Sequence, residues 1–244
     1  MSQISDISEC VERVKQRDVF LDEVKIGLGV DRLDYTKGII ERFRSIERLL
    51  EKFPQWIGKF SFVQIAAPSR SSISAYRIFD DEVRSMARHV NLRFGSENYT
   101  PIVLKIQHHG PDLVYEYMRS AHLCFVSSLH DGMNLVAKEY AASRDDEMGV
   151  LILSMFAGAS RELTEALIVN PYDIDQCASA LHTALSMSQS EQRERMRALR
   201  LFIKEFNIYR WAGKMLLDAS TIRKKNRFLA RFSGEKSTPP IVVG

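Results

Sequence analysis

VKIGLGVDRLDYTKG, Val24 to Gly38, is a short apolar run that breaks into charged residues and closes on a lysine and a glycine. The residues after it place Ile39, Ile40, Phe43, Ile46, Leu50 and Phe53 on one helical face, the spacing of an amphipathic helix laid on a core. A strand that hands over to a helix leaves the first N–H groups of that helix unpaired and presents the positive end of its dipole. The same arrangement recurs where HLCFVS (His122 to Ser127) gives way to SLHDGMNLVAKEY (Ser128 to Tyr140). Both are places where an anion can be held.

Working outward, short apolar runs alternate with amphipathic segments. FSFVQIAA (Phe60 to Ala67), PIVLKI (Pro101 to Ile106), VLILS (Val150 to Ser154) and ALIVN (Ala166 to Asn170) join the two runs above. That makes about six strands in β-α order, the pattern of a parallel sheet covered by helices on both faces. Helices are expected through Ile78 to Val90, from Asp112, from Met133, in a short turn around Arg161 to Glu165, and on to about Ser220. The expected fold is α/β, a doubly wound Rossmann-like sheet over residues 24–220. One amphipathic helix or linker precedes it in residues 1–23, on the pattern Ile4, Ile7, Val11, Val14, and a flexible basic tail follows in 221–244.

The 244 residues, 45% hydrophobic and 27% charged, suffice for one large core. Thirty-four basic and 31 acidic residues are spread along the chain, so no stripe calls for nucleic acid. The cluster Arg223, Lys224, Lys225, Arg227, Arg231 is read as a solvated helix end. Cys10, Cys124 and Cys177 are too few and scattered for a disulfide framework or a zinc site, and Cys124 is expected as a buried thiol. No apolar stretch reaches the roughly 20 residues that cross a bilayer, so no membrane partner is expected and a reducing cytoplasm is the expected compartment.

In a doubly wound sheet ligands bind beyond the carboxyl ends of the strands, at the topological switch point. Arg32 and Lys37 follow the first strand there. A lysine in the first helical turn opposes the dipole, and an anion held between Arg32, Lys37 and the helix end reverses that sign. The plain alternative pairs Arg32 with Asp34 or Asp31 and leaves Lys37 facing water. After the fourth strand the N–H groups of Asn134, Leu135 and Val136 form a second helix end, and Glu139 rises on the same face as Leu135, where a carboxylate suits ribose hydroxyls. Here the plain alternative makes Asp131 a helix N-cap and Glu139 a solvated charge. Among the methionines, Met86, Met118, Met155 and Met187 are expected in the core and Met133 at the cleft.

DRLDYTKG, QIAAPSR (Gln64 to Arg70), QHH (Gln107 to His109), DGMNLVAKEY (Asp131 to Tyr140), LSMFAGA (Leu153 to Ala159) and LIVNPYD (Leu167 to Asp173) stand in the order found in trehalose-6-phosphate synthases. The chain resembles that family over about residues 24–220. The resemblance implies the C-terminal, nucleotide-sugar domain of a GT-B glycosyltransferase. It implies a retaining enzyme that moves glucose from UDP-glucose to glucose 6-phosphate, with no metal and no cofactor. By the same resemblance Arg32 and Lys37 hold the donor diphosphate, assisted by backbone at Asn134, Leu135 and Val136. Asp131 binds the donor sugar with backbone at Gly132, Met133 and Asn134, and Glu139 binds the ribose. His108 and His109 lie where backbone reads the uracil, and Arg70 reaches the acceptor phosphate. Arg32, Lys37 and Asp131 are the catalytic candidates.

Departure of UDP concentrates charge on the diphosphate, so cations and helix ends already in place stabilise the transition state more than the ground state. Retention by a protein nucleophile would call for a second carboxylate beside the anomeric carbon. Front-face attack, with the leaving phosphate taking the acceptor's proton, is favoured by similarity. Family members carry an amino-terminal acceptor domain before DRLDYTKG, so this chain resembles the donor half and is expected to give little transfer without an acceptor domain or chain. His130 stands where the family has arginine. The implied partners are UDP-glucose, glucose 6-phosphate and that acceptor domain, and a homo-oligomer is compatible with the sequence. Two alternatives are a related transferase such as a glucosylglycerol-phosphate synthase, and a non-catalytic module that keeps the fold. Loss of function should first strip Arg32, Lys37, Asp131 or Glu139, and all four are present.

Overall fold

The computed structural model describes residues 6–18, 23–69 and 74–233. Six strands, β1 (Lys25–Arg32), β2 (Phe60–Ala67), β3 (Ile102–Ile106), β4 (Leu123–Val126), β5 (Val150–Ser154) and β6 (Leu167–Val169), alternate with eight helices among these residues. The helices are α1 (Ile7–Asp18), α2 (Ile39–Lys52), α3 (Ser74–Phe94), α4 (Pro111–Ser120), α5 (Leu135–Ser143), α6 (Ile174–Ser186), α7 (Gln189–Glu205) and α8 (Ile208–Ser233).

The strands form one sheet in the order β3-β2-β1-β4-β5-β6, parallel at every pairing. This is the doubly wound, Rossmann-like α/β fold expected from the sequence. Because β1 lies between β2 and β4, the order reverses beside it, and the loops that leave β1 and β4 become neighbours. Strands in the middle of such a sheet are covered on both faces, which is why β2 is apolar almost throughout and β4 and β5 are wholly buried. α2 packs against α3 and α6, and α4 packs against α1 and α5. The core under α2 joins Ile39, Phe43 and Ile46 to Phe60, Phe62, Phe125 and Ile152. α1 buries Cys10 and Val14.

Some boundaries differ from the sequence reading. β1 continues to Arg32, since its last two residues still pair with Ala66 and Ala67. The helix expected from Met133 starts at Leu135, and the turn expected around Arg161 to Glu165 is a 3-10 turn at Gly158–Arg161. α8 carries helix through the basic cluster to Ser233, past the expected break at 220. Met155 is exposed rather than buried, because it leaves β5 at the sheet's carboxyl edge. Residues 1–202 and 203–244 form two compact units. The sheet and every candidate residue belong to the first, and the second holds the end of α7 and α8. Among the described residues no helix is long and apolar enough to cross a membrane, and all three cysteines are buried and outside any disulfide.

A backbone-locked histidine immediately precedes β4. His122 is exposed overall, yet its Nδ1 turns inward and accepts the Ile26 N–H at 2.9 Å. Burial, with the Arg144, Lys25 and Lys15 charges, pushes this imidazole down to about 4. Protonation at Nδ1 would break the bond to β1. The contribution of His122 to stability is therefore complete above the ordinary value of 6.5 and is lost as pH falls toward about 4. His122→Asn, whose amide oxygen can accept the same N–H, is expected to flatten this loss. Thermal midpoints measured across that range for both proteins check it.

Candidate active site at the switch point

The β1–α2 connection owes its shape to hydrogen bonds within DYTKG. Asp34 caps a 3-10 turn at Tyr35–Lys37 by accepting the Thr36 N–H and hydroxyl, at 3.0 and 2.8 Å. Gly38 then takes φ +63°, and a Cβ on it would sit on the Ser127 carbonyl. A left-handed conformation and a close backbone approach thus both require glycine. Lys37 consequently lies outside α2, correcting the expectation of a cation in the first helical turn.

The loop after β4 is stitched to this turn. The Leu129 and His130 N–H groups both donate to the Thr36 carbonyl, at 2.8 and 3.3 Å, and the Ser127 hydroxyl donates to the Gly38 carbonyl at 2.7 Å. The loop after β5 supports it from the other side: the Asp131 N–H donates to the Phe156 carbonyl, and the Gly158 and Ala159 N–H groups donate to Asp131 and Met133 carbonyls. Three strand ends thus fix the DGMN segment.

Asn134, rather than Asp131, is the N-cap of α5. Its Oδ1 accepts the Ala137 N–H at 3.0 Å and its backbone takes φ 77°. A non-glycine residue so placed costs on the order of 1 to 3 kcal/mol, and its side-chain bonds offset part of this. The Asn134, Leu135 and Val136 N–H groups have no hydrogen-bond partner among the described residues, as the first turn of a helix provides. Leu135 and Glu139 are exposed and Val136 half-buried.

Lys37 reaches this helix end. Its Nζ lies 2.7 Å from Asp131 Oδ2, with both side chains about five-sixths buried (16% and 15% exposed). The Asn134 amide donates to the same oxygen at 3.1 Å. Burial raises the Asp131 carboxyl, but the bonds from Lys37 and Asn134 outweigh it and hold the group below the usual carboxylate range. Asp131 is therefore ionised at neutral pH. Arg32 is the looser cation, 61% exposed and 4.0 Å from Asp34. The alternative pairing of Arg32 with Asp34 is thus present in weak form, whereas Lys37 does not face water.

Gly132 and Met133 are exposed beside Asp131. His108 is exposed. The His109 Nε2 is buried without a hydrogen-bond partner among the described residues, and burial with the Lys105 and Arg17 charges lowers that imidazole. Arg70 lies outside the described residues. His130 is exposed at the loop shoulder. Among the described residues no group of three or more His, Cys, Asp or Glu side chains could hold a metal ion.

Sequence reasoning missed the layer beneath the site. Arg42, Asp31, Gln64 and Ser127 form one buried polar cluster. The signal was a polar residue inside each apolar pattern: Arg42 within the stripe of α2, Gln64 within FSFVQIAA, and Ser127 closing HLCFVS.

Fold and loops together define the class: a Rossmann-like α/β domain, a fold in which ligands bind beyond the carboxyl ends of the strands at the switch point. The chain belongs to glycosyltransferase family 20, whose pattern matches residues 2–221. It is 43% identical over 221 residues to a trehalose-6-phosphate synthase of Klebsiella pneumoniae, covering 90% of this chain and 46% of that protein. The UDP-forming α,α-trehalose-phosphate synthase of Burkholderia xenovorans, solved in complex with glucose-6-phosphate, superposes with TM-score 0.83 at 40% identity, over 88% of this chain and 49% of that one. A trehalose-6-phosphate structure from Escherichia coli bound with UDP-2-fluoro glucose gives TM-score 0.81 at 39% identity, over 87% and 49%. The chain spans about half the length of the curated relatives it matches.

Proposed function

We propose that this chain is the donor-binding half of a retaining GT-B glucosyltransferase that moves glucose from UDP-glucose to glucose 6-phosphate, giving trehalose 6-phosphate, in a reducing cytoplasm. The observation that carries the reading is the Lys37–Asp131 pair, 2.7 Å apart and set against the N-cap of α5. An ammonium, a helix dipole and unpartnered N–H groups converge there, as a diphosphate requires. Relatives solved with a UDP-sugar analogue and with glucose-6-phosphate support it.

In this reading Lys37, Arg32 and the Asn134, Leu135 and Val136 N–H groups hold the diphosphate. Asp131, ionised, accepts donor-sugar hydroxyls beside Gly132 and Met133, and Glu139 accepts the ribose hydroxyls. The base lies along His108 and His109, and Arg70 serves the acceptor phosphate. Before the donor arrives, Asp131 neutralises Lys37 and keeps it aimed. A diphosphate draws the ammonium toward itself, and the negative charge that grows as the glycosyl bond breaks strengthens this contact.

Calorimetry with UDP, UDP-glucose and uridine tests the reading. UDP and UDP-glucose are expected to bind much more tightly than uridine, because the diphosphate supplies the charge-assisted contacts. A protein that gives no heat with either nucleotide at millimolar ligand is a fold-retaining module, and the proposal fails.

A further inference from the structure

The guanidinium of Arg42 is the most completely buried charge near the site. Its side chain is 1% exposed and that of its partner Asp31 is 3% exposed. Nη1 donates to Asp31 Oδ2 and Gln64 Oε1, each at 2.6 Å, and Nε donates to Ser127 Oγ at 3.0 Å. Nη2 points to the Lys37 carbonyl at 3.5 Å, and the guanidinium lies 5.8 Å from the Phe125 ring centre. Gly29 leaves the space, since a Cβ there would run into Nη1 and Gln64 Oε1.

Stability alone gives little reason for this residue. A cation in the early part of a helix opposes the dipole, and a buried ion pair replaced by apolar side chains of similar volume is often as stable or more so. Position 42 also falls within the apolar stripe of α2, between Ile39 and Phe43. What distinguishes the arrangement is where its arms end. Asp31 immediately precedes Arg32. The Lys37 carbonyl belongs to the residue that meets Asp131. Ser127 opens the loop to Asp131 and passes the contact on, donating to the Gly38 carbonyl at 2.7 Å. One planar fork therefore ties β1, β2, the start of the β4–α5 loop and the 3-10 turn together beneath both loops.

We propose that Arg42 is a positioning residue for the donor diphosphate: buried beneath the crevice, it holds the Lys37–Gly38 turn and the start of the β4–α5 loop at the separation that lets Lys37 and the α5 amides grip one ligand. It touches no substrate and acts through Lys37. The inference rests on the donor-binding reading above. Lysine cannot replace it, because a point charge on a flexible stem lacks the fork that addresses Asp31, Gln64 and Ser127 at once.

The experiment is a calorimetric cycle on the full chain with UDP and uridine as probes, comparing the unaltered protein with Arg42→Lys, Ser127→Ala, Lys37→Ala and the Arg42→Lys/Lys37→Ala double variant. Circular dichroism and thermal midpoints establish which variants fold. Arg42→Lys is expected to weaken UDP roughly tenfold, the scale of one mis-aimed charge-assisted contact, and to leave uridine within about twofold. Ser127→Ala moves the same way by less. The double variant binds UDP no more weakly than Lys37→Ala alone, because a residue that acts only through Lys37 has nothing left to position. If Arg42→Lys is unfolded, Ser127→Ala and its cycle with Lys37→Ala decide the matter. The inference is overturned if folded variants bind UDP like the unaltered protein, if UDP and uridine weaken equally, or if the losses simply add. Failure of the unaltered protein to bind UDP instead overturns the donor reading, and this inference with it.

Discussion

Gly38→Val is expected to destabilise the chain by roughly 2 to 6 kcal/mol, combining about 1 to 3 for a left-handed non-glycine residue with about 1 to 3 for overpacking. The residue stands at φ +63°, and a Cβ added to it would run into the Ser127 carbonyl. Valine is poorly suited there because its branched side chain is strongly disfavoured at positive φ. The same carbonyl begins the segment that runs to Asp131, so relief of the clash pushes the two loops apart. Chemical denaturation should show the lost stability, and any protein that remains folded should bind UDP weakly. Near-native stability in Gly38→Val would mean that the turn can adopt another path without cost, and that the contact between the two loops does not define the crevice.

Lys37→Ala is expected to weaken UDP binding by about 1.5 to 3 kcal/mol, the usual range for a hydrogen bond to a charged group. Uridine, which lacks the diphosphate, should be nearly unaffected. Equal losses for both ligands would place the nucleotide elsewhere on the domain. The variant also exposes the role of Asp131. In the intact protein Lys37 and Asn134 keep its folded pKa below the ordinary 3.8, against the opposing effect of burial. That contribution to stability is complete above 3.8 and is lost as pH falls through the lower folded value. Without Lys37 the largest opposing contact is gone and burial raises the group. Acid unfolding of Lys37→Ala should therefore begin at higher pH than in the unaltered protein, a shift that Asp131→Asn should not show.

Much of the fold can be read locally. FSFVQIAA and VLILS are continuous apolar runs of strand length, and both become strands with the expected limits. The stripe Ile39, Phe43, Ile46, Leu50 becomes the buried face of α2. The candidate residues Lys37, Asp131 and Asn134 were also legible, because their motifs fall where strands end. Less legible was the local chemistry of those ends. Asp131 resembled a helix cap by type, but Asn134, three residues later, does the capping and leaves Asp131 free to meet Lys37. Arg42 stayed hidden because apolar periodicity marks which face is buried and is silent about a charge that the tertiary structure neutralises there.

The order of elements, the parallel sheet and the motifs beside its strands were determined by the sequence alone, since hydrophobic spacing and strand-to-helix transitions are properties of neighbouring residues. Tertiary structure decided that β1 lies against β4, and with it that Lys37 meets Asp131 across 94 positions of chain. The physical reason is that strand pairing and burial of the Arg42 cluster depend on what packs beside each segment. A contact between two loops exists only once the sheet has brought their strands together.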